Sequence, residues 1–421
     1  METVIMMHGT ATSAPGGRRQ ALAYLAIVLV GIAGIAISSV KAIIIGTYVH
    51  DFGMSAPVAG YLLSVEMIAA TLGVILSTLV GGRLPLAAAL AAIFIGDVGT
   101  AMSNTAPALF AWQIVAGLGH GFTLGRMGQG VAAMTNPQRA TGFYTVSYLL
   151  LSSLNAYFLP DTKALLGPHA LFLTLAVTGP LALLGLRWFP DVDPRGAHRV
   201  EKGTAAVGVA LTAFVMLAFL LWYLGIGGFW PFMGQFGEHA GLAFDDRTRV
   251  LGSANLFGLA GASISLVIGN RFGSFRPLAC FVSLQVVAVA ILMTWTGNPI
   301  AFMVAAWLYV FAWLGGFPNQ LGLLSRLDPT GRLNALSYVM GNIAYAIGPA
   351  GVGLLLRSAP DQGTGLDWLQ YLGFALLILS GAMIVSLAFR IDRQRGLIGR
   401  TIPQPPATAP DGRTILRGEI S

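Results

Sequence analysis

The chain is 421 residues long, 55% hydrophobic and 10% charged, with a mean hydropathy of +0.74, whereas a soluble domain carries about 25% charged residues. This composition excludes a water-soluble globule, and 54 glycines set inside apolar runs, without a G-X-Y period, exclude collagen and low-complexity disorder. The single cysteine, Cys280, excludes an internal disulfide; with no C-x-x-C or His/Cys cluster, neither a metal nor a cofactor is expected.

A bilayer core of about 30 Å needs about 20 apolar residues per helix. After a polar N-terminal tail, 1–20, twelve such stretches follow, at about 21–48, 57–81, 84–104, 107–134, 141–160, 168–189, 205–236, 249–269, 276–296, 299–325, 333–357 and 368–390. The longest connection, 190–204, holds Asp191, Asp193, Arg195, Glu201 and Lys202 and divides the twelve into six plus six. The predicted organisation is therefore an all-α membrane protein, with an N-terminal six-helix bundle (21–189), a linker (190–204), a C-terminal six-helix bundle (205–392) and a polar tail (393–421) containing Pro403, Pro405, Pro406 and Pro410. Basic residues collect on one side of this layout, among them Arg18, Arg19, Arg83, Arg139, Arg187, Arg276, Arg332 and Arg393, against Lys163, Arg247, Arg249 and Arg357 on the other. The net charge of +7 thus reads as topology rather than nucleic-acid binding: both termini are expected in the cytoplasm of a bacterial inner membrane.

Shifting the second stretch by 188 residues lays Gly73 on Gly261, Gly81 on Gly269 and Arg83 on Arg271, and Asn136-Pro137 with Arg139 parallels Asp328-Pro329 with Arg332. Two matching six-helix halves with these short loops resemble the major facilitator superfamily over about residues 20–392. The strongest local mark is Gly269-Asn270-Arg271-Phe272-Gly273-Ser274-Phe275-Arg276, similar to the family's glycine- and arginine-rich inner loop, with Asn270 where the family has Asp. In the first half this loop shrinks to Gly81-Gly82-Arg83. Gln113-Ile114-Val115-Ala116-Gly117-Leu118-Gly119 resembles a stretch of proton-coupled members in which arginine stands at the position of Gln113. The resemblance implies two pseudo-symmetric bundles, a substrate site between them lined by the first, seventh and tenth helices, and inner loops that gate, here Arg83, Arg126, Asn270 and Arg271. It also implies a monomer whose partners are a small-molecule substrate, protons and the lipid bilayer, not nucleic acid.

An ionisable side chain inside a span costs several kcal/mol and marks function by default. The N-terminal half holds Lys41, Glu66, Asp97, His120 and Arg126. At 1.5 Å per residue the first three lie about 12–14 Å inside the same boundary, which predicts a Lys41/Glu66/Asp97 cluster in which two carboxylates share one cation and titrate as a unit. A structural ion pair is the plainer reading of the same residues. His120, two turns beyond Gln113, suits a proton relay or a substrate contact; Arg126, near the inner edge, is explained by snorkelling. The second half offers rings instead: Tyr223 and Trp230 on the seventh helix, and Tyr309, Trp313, Phe317 and Gln320 spaced 4-4-3 on the tenth, with Asn319 and Asn342 as uncharged polar contacts. Trp230-Pro231 and Phe317-Pro318 are expected to interrupt their helices.

These features predict a secondary active transporter, not an enzyme, working by alternating access and taking up an amphipathic, aromatic carboxylate with protons. Efflux of lipophilic compounds is the rival within the class. A membrane-embedded enzyme is the rival outside it, but the sequence has neither H-E-x-x-H nor G-x-S-x-G. ATP-driven transport lacks a phosphate-binding loop.

Overall fold

The computed structural model describes residues 17–190, 208–268, 272–328 and 332–394. Among these, all regular structure is helical. Ten helices are long and apolar enough to cross a membrane. Two more, Ala106–Ala132 and Pro137–Tyr157, fall where the fourth and fifth spans were predicted, so each expected stretch is helical. In chain order the first span is Gly17–Ser39 continued by Lys41–His50, with Val40 at the break. The second and third are Ala56–Leu79 and Arg83–Ala101. After the fourth and fifth, the sixth is assembled from short helices between Ala170 and Trp188. The seventh is Val209–Phe229 with Met233–His239, then come Phe244–Ile268, Phe275–Thr294, Pro299–Leu327, Arg332–Ser358 and Gln362–Gln394. The eighth span starts about a turn before its apolar window, because Asp245 and Asp246 in its first turn face the positive helix end and favour the extension.

Two proline expectations had different outcomes. Trp230-Pro231 does interrupt the seventh span, as a 3-10 turn over Trp230–Phe232. Pro318 does not interrupt the tenth: the helix continues through it, with the Asn319 side-chain amide donating to the Gly315 carbonyl at 3.0 Å and to Ser265 of the eighth span. Pro349 is also carried inside its helix, where the Ala350 N–H donates to the Ser64 hydroxyl at 2.8 Å. Neighbouring hydroxyls and amides can thus hold proline-containing spans in a bilayer.

The chain forms two compact units that cut across individual spans. One comprises Met1–Ser39, Ala69–Tyr148 and Phe172–Arg199, the other Val40–Ile68, Leu149–Leu171 and Val200–Ser421. The expected linker, beyond Pro190, lies outside the described residues, as do most of both tails. In the first unit the core joins Ile27, Val30, Leu86, Leu90, Ile93, Phe122, Met127 and Phe189. Glycine lets its helices touch: a β-carbon on Gly73 would run into the Leu118 carbonyl oxygen and lie 2.7 Å from the Phe122 nitrogen. In the second unit Gly261, the repeat equivalent of Gly73, would meet the Phe311 carbonyl and the Gly315 nitrogen in the same i, i+4 pattern. Small residues at such points allow the close packing by which membrane helices associate. The repeat also recurs at helix starts: Asn136 Oδ1 accepts from the Arg139 N–H at 2.9 Å, and Asp328 Oδ2 from the Leu333 N–H at 3.0 Å.

At one end of the second unit, Phe244 forms a hub. His50 stacks on its ring at 4.6 Å, Lys163 Nζ lies 4.3 Å from the ring centre, and the Arg247 guanidinium lies at 5.4 Å. Lys163 and His50 both reach Asp51, while Arg249 meets Asp161 at 3.4 Å. At another point buried Asp392 accepts from the Ser274 and Phe275 N–H groups at 2.7 and 2.8 Å, capping the ninth span, with Arg326 3.4 Å away. Gly273, at φ +72°, provides the tight approach this cap requires. Asp392→Ala is expected to lower stability by about 1–3 kcal/mol, read from thermal unfolding of the purified protein. An unchanged midpoint would show that the cap does not matter.

Candidate functional site

Within the second unit, Lys41 is 8% exposed and Glu66 is fully buried; the two interact electrostatically. The break at Val40 starts the helix that carries Lys41, so the lysine sits in its first turn rather than in the middle of a continuous rod. Lys41 Nζ lies 3.8 Å from the centre of the Tyr345 ring, a cation–π contact strengthened by burial. Tyr345 meets Tyr223 edge-on at 5.9 Å. A second aromatic group follows on the seventh and tenth spans: Trp230 stacks on Tyr309 at 5.9 Å with the rings 3° from parallel, and meets Trp313 at 6.4 Å. Gln285 and Gln320 are both buried; Gln285 lies beside the Tyr309 hydroxyl, while neither end of the Gln320 amide has a hydrogen-bond partner among the described residues. An unsatisfied buried amide costs about 1–3 kcal/mol, so these groups suit a bound polar solute.

The first unit holds a different pair. His120 Nδ1 lies 2.7 Å from the Ala33 carbonyl oxygen, and Nε2 lies 3.7 Å from Asp97 Oδ2, with both residues at most 1% exposed. The third span approaches the fourth where Gly96 faces Ala116, which turns Asp97 toward His120. Nearby, Gln113 donates to Thr100 Oγ1 at 2.9 Å.

The expected three-member cluster is therefore corrected: Lys41 and Glu66 are brought together, but Asp97 belongs to the other unit and faces His120. Depth along a helix follows from counting residues, whereas the neighbour a side chain faces depends on helix rotation and packing. Arg126 does not snorkel; it is 1% exposed and donates to Gln129 Oε1 at 2.6 Å, while Gln129 holds the Ser77 carbonyl. Arg83 is exposed at the start of its helix. The 4-4-3 face of the tenth span splits, because Phe317 turns to Tyr338 at 6.4 Å and Asn319 is used in helix packing. Asn342 is exposed, and Asn270 and Arg271 lie outside the described residues. Sequence reasoning missed Tyr345 and Gln285. Gln285 had a signal, as an amide within an otherwise apolar run of the ninth span; Tyr345 had none.

The Major Facilitator Superfamily profile matches residues 23–349. The chain belongs to that superfamily. No curated protein sequence matches it significantly. Solved structures with the same fold include a D-xylose–proton symporter, with TM-score 0.67 and 17% identity, covering 87% of this chain and 96% of that one. A bacterial homologue of the human drug peptide transporters PepT1 and PepT2 has TM-score 0.68 and 12% identity, covering 90% and 99%. The nucleoside transporter NupG has TM-score 0.61 and 13% identity, covering 90% and 99%. At these identities the likeness concerns fold. The superfamily protein is an integral multi-pass membrane protein with the architecture of secondary transporters.

Proposed function

We propose that the protein carries a small aromatic carboxylate across the membrane by alternating access, in the direction of uptake and coupled to protons. The observation that carries this reading is Lys41: a buried cation under the Tyr345 ring, with Glu66 as its internal counterion. A carboxylate ligand competes with Glu66 for that cation. Once displaced, Glu66 is a charge in a fully buried place, and taking up a proton removes most of the cost of leaving it there. Substrate binding and proton uptake are then linked at one cation. Tyr223, Trp230, Tyr309 and Trp313 supply ring faces, and Gln285 and Gln320 supply amides. The basic residues on the tail side support cytoplasmic termini in a bacterial inner membrane. We take the working unit to be a monomer.

Thermal unfolding of the purified protein with benzoate, or with a lipophilic cation such as tetraphenylphosphonium, tests this, since a ligand stabilises by RT ln(1 + [L]/Kd). Benzoate is expected to raise the midpoint, more so as pH falls, because protons occupy the displaced Glu66. Glu66→Gln, permanently neutral, is expected to bind benzoate with little pH dependence. Stabilisation by the cation alone would overturn uptake of anions and favour efflux.

A further inference from the structure

We propose that Asp97 and His120 together hold one exchangeable proton, a second proton-binding site in addition to the Lys41–Glu66 pair. The Ala33 carbonyl oxygen can only accept, so the His120 nitrogen 2.7 Å away, Nδ1, carries a hydrogen. That fixes what Nε2 can be, either a bare lone pair or a second N–H. It faces Asp97 Oδ2 at 3.7 Å, within ion-pair range but longer than a hydrogen bond, and neither carboxylate oxygen of Asp97 has a hydrogen-bond partner among the described residues. With no proton between them, a lone pair confronts a buried anion. One proton relieves this in either of two ways: as a carboxylic acid beside a neutral imidazole, or as a carboxylate beside an imidazolium. A second proton would leave an unbalanced buried cation. The pair is therefore a unit that holds one proton between its two members.

Beside the pair, the first span supplies the Ala33 carbonyl, and three residues beyond Asp97 the Thr100 hydroxyl accepts from Gln113. The second span, whose Ala70 meets Gly121 next to His120, carries Glu66 one turn earlier. Arg126, six residues along from His120, is the nearest cation on the fourth span and is engaged by Gln129. Among the described residues of this unit, Asp97 is the one carboxylate and His120 the one imidazole. The other basic side chains, Arg19, Arg83, Arg139 and Arg187, lie at helix ends. The existence of the site follows from this geometry alone; its part in driving transport rests on the reading of the chain as a proton-coupled carrier.

Two measurements on the full-length protein decide the matter. In nanodiscs without ligand, infrared difference spectra across a pH series should contain the C=O stretch of a buried carboxylic acid that is lost in Asp97→Asn and shifted in His120→Gln. Spectra unchanged by Asp97→Asn, or an Asp97 band that titrates identically without His120, would overturn the dyad. In proteoliposomes with the membrane potential clamped, mandelate accumulation driven by a pH gradient of one unit should fall about tenfold in Asp97→Asn, the factor one proton contributes, while mandelate counterflow persists. Accumulation equal to wild type would remove the site from coupling. If wild type itself ignores the gradient, proton-driven uptake fails, and the infrared result still decides whether the dyad exists.

Discussion

Replacing Lys41 with alanine is expected to abolish stabilisation by benzoate and to lower the unfolding free energy by about 3–5 kcal/mol at neutral pH, the cost of leaving a buried charge without its partner. Lys41 is 8% exposed and Glu66 not at all, so water cannot replace the lost cation in the folded state. The carboxyl can instead neutralise itself by binding a proton, at a cost that grows with pH. The deficit should therefore shrink on acidification. Lys41→Ala with Glu66→Gln should recover most of the stability and none of the binding. Thermal unfolding of wild type and the two variants, with and without benzoate, reads both effects. Equal deficits in the single and double variants would mean that Lys41 acts through packing on Tyr345 rather than through charge.

The other large effect is steric. Gly121 of the fourth span sits so close to Ala70 of the second that a β-carbon there would overlap the Ala70 backbone. A backbone carbonyl cannot swing aside as a side chain can. Gly121→Ala is expected to cost about 1–3 kcal/mol, and Gly121→Val to prevent recovery of folded protein. Gly128, seven residues on, faces open space, so Gly128→Ala should be nearly neutral. Yield of monodisperse protein and its unfolding midpoint compare the three. A stable Gly121→Val protein would show that the second and fourth spans are not packed this tightly.

Much of the fold was legible because membrane helices are written as long apolar runs, and the Gly73/Gly261 repeat reappears as two equivalent helix contacts. The Trp230-Pro231 interruption was legible for the same local reason. What failed was azimuth: Asp97 was expected beside Lys41 and Glu66 but faces His120, and Phe317 shares a helical face with Trp313 yet turns to Tyr338. Pro318 failed because a side chain, Asn319, supports the helix through it. Tyr345 and Asp392 are partners of residues far away in the chain, Lys41 and Ser274, and no local pattern announces such pairs.

The hub at Phe244 bears on how ionic strength acts on the carrier. Its inner contacts are shielded: Lys163 is 15% exposed and Asp51 2%, and ring contacts with cations lie beside them. Arg249 and Asp161, at 41% and 60%, stand in solvent. Dissolved ions screen exposed pairs over a Debye length of about 8 Å but reach buried ones poorly. In brine the outer pair fades while the inner clasp keeps its strength, so salt loosens this junction at its solvent-facing edge and leaves its buried part intact.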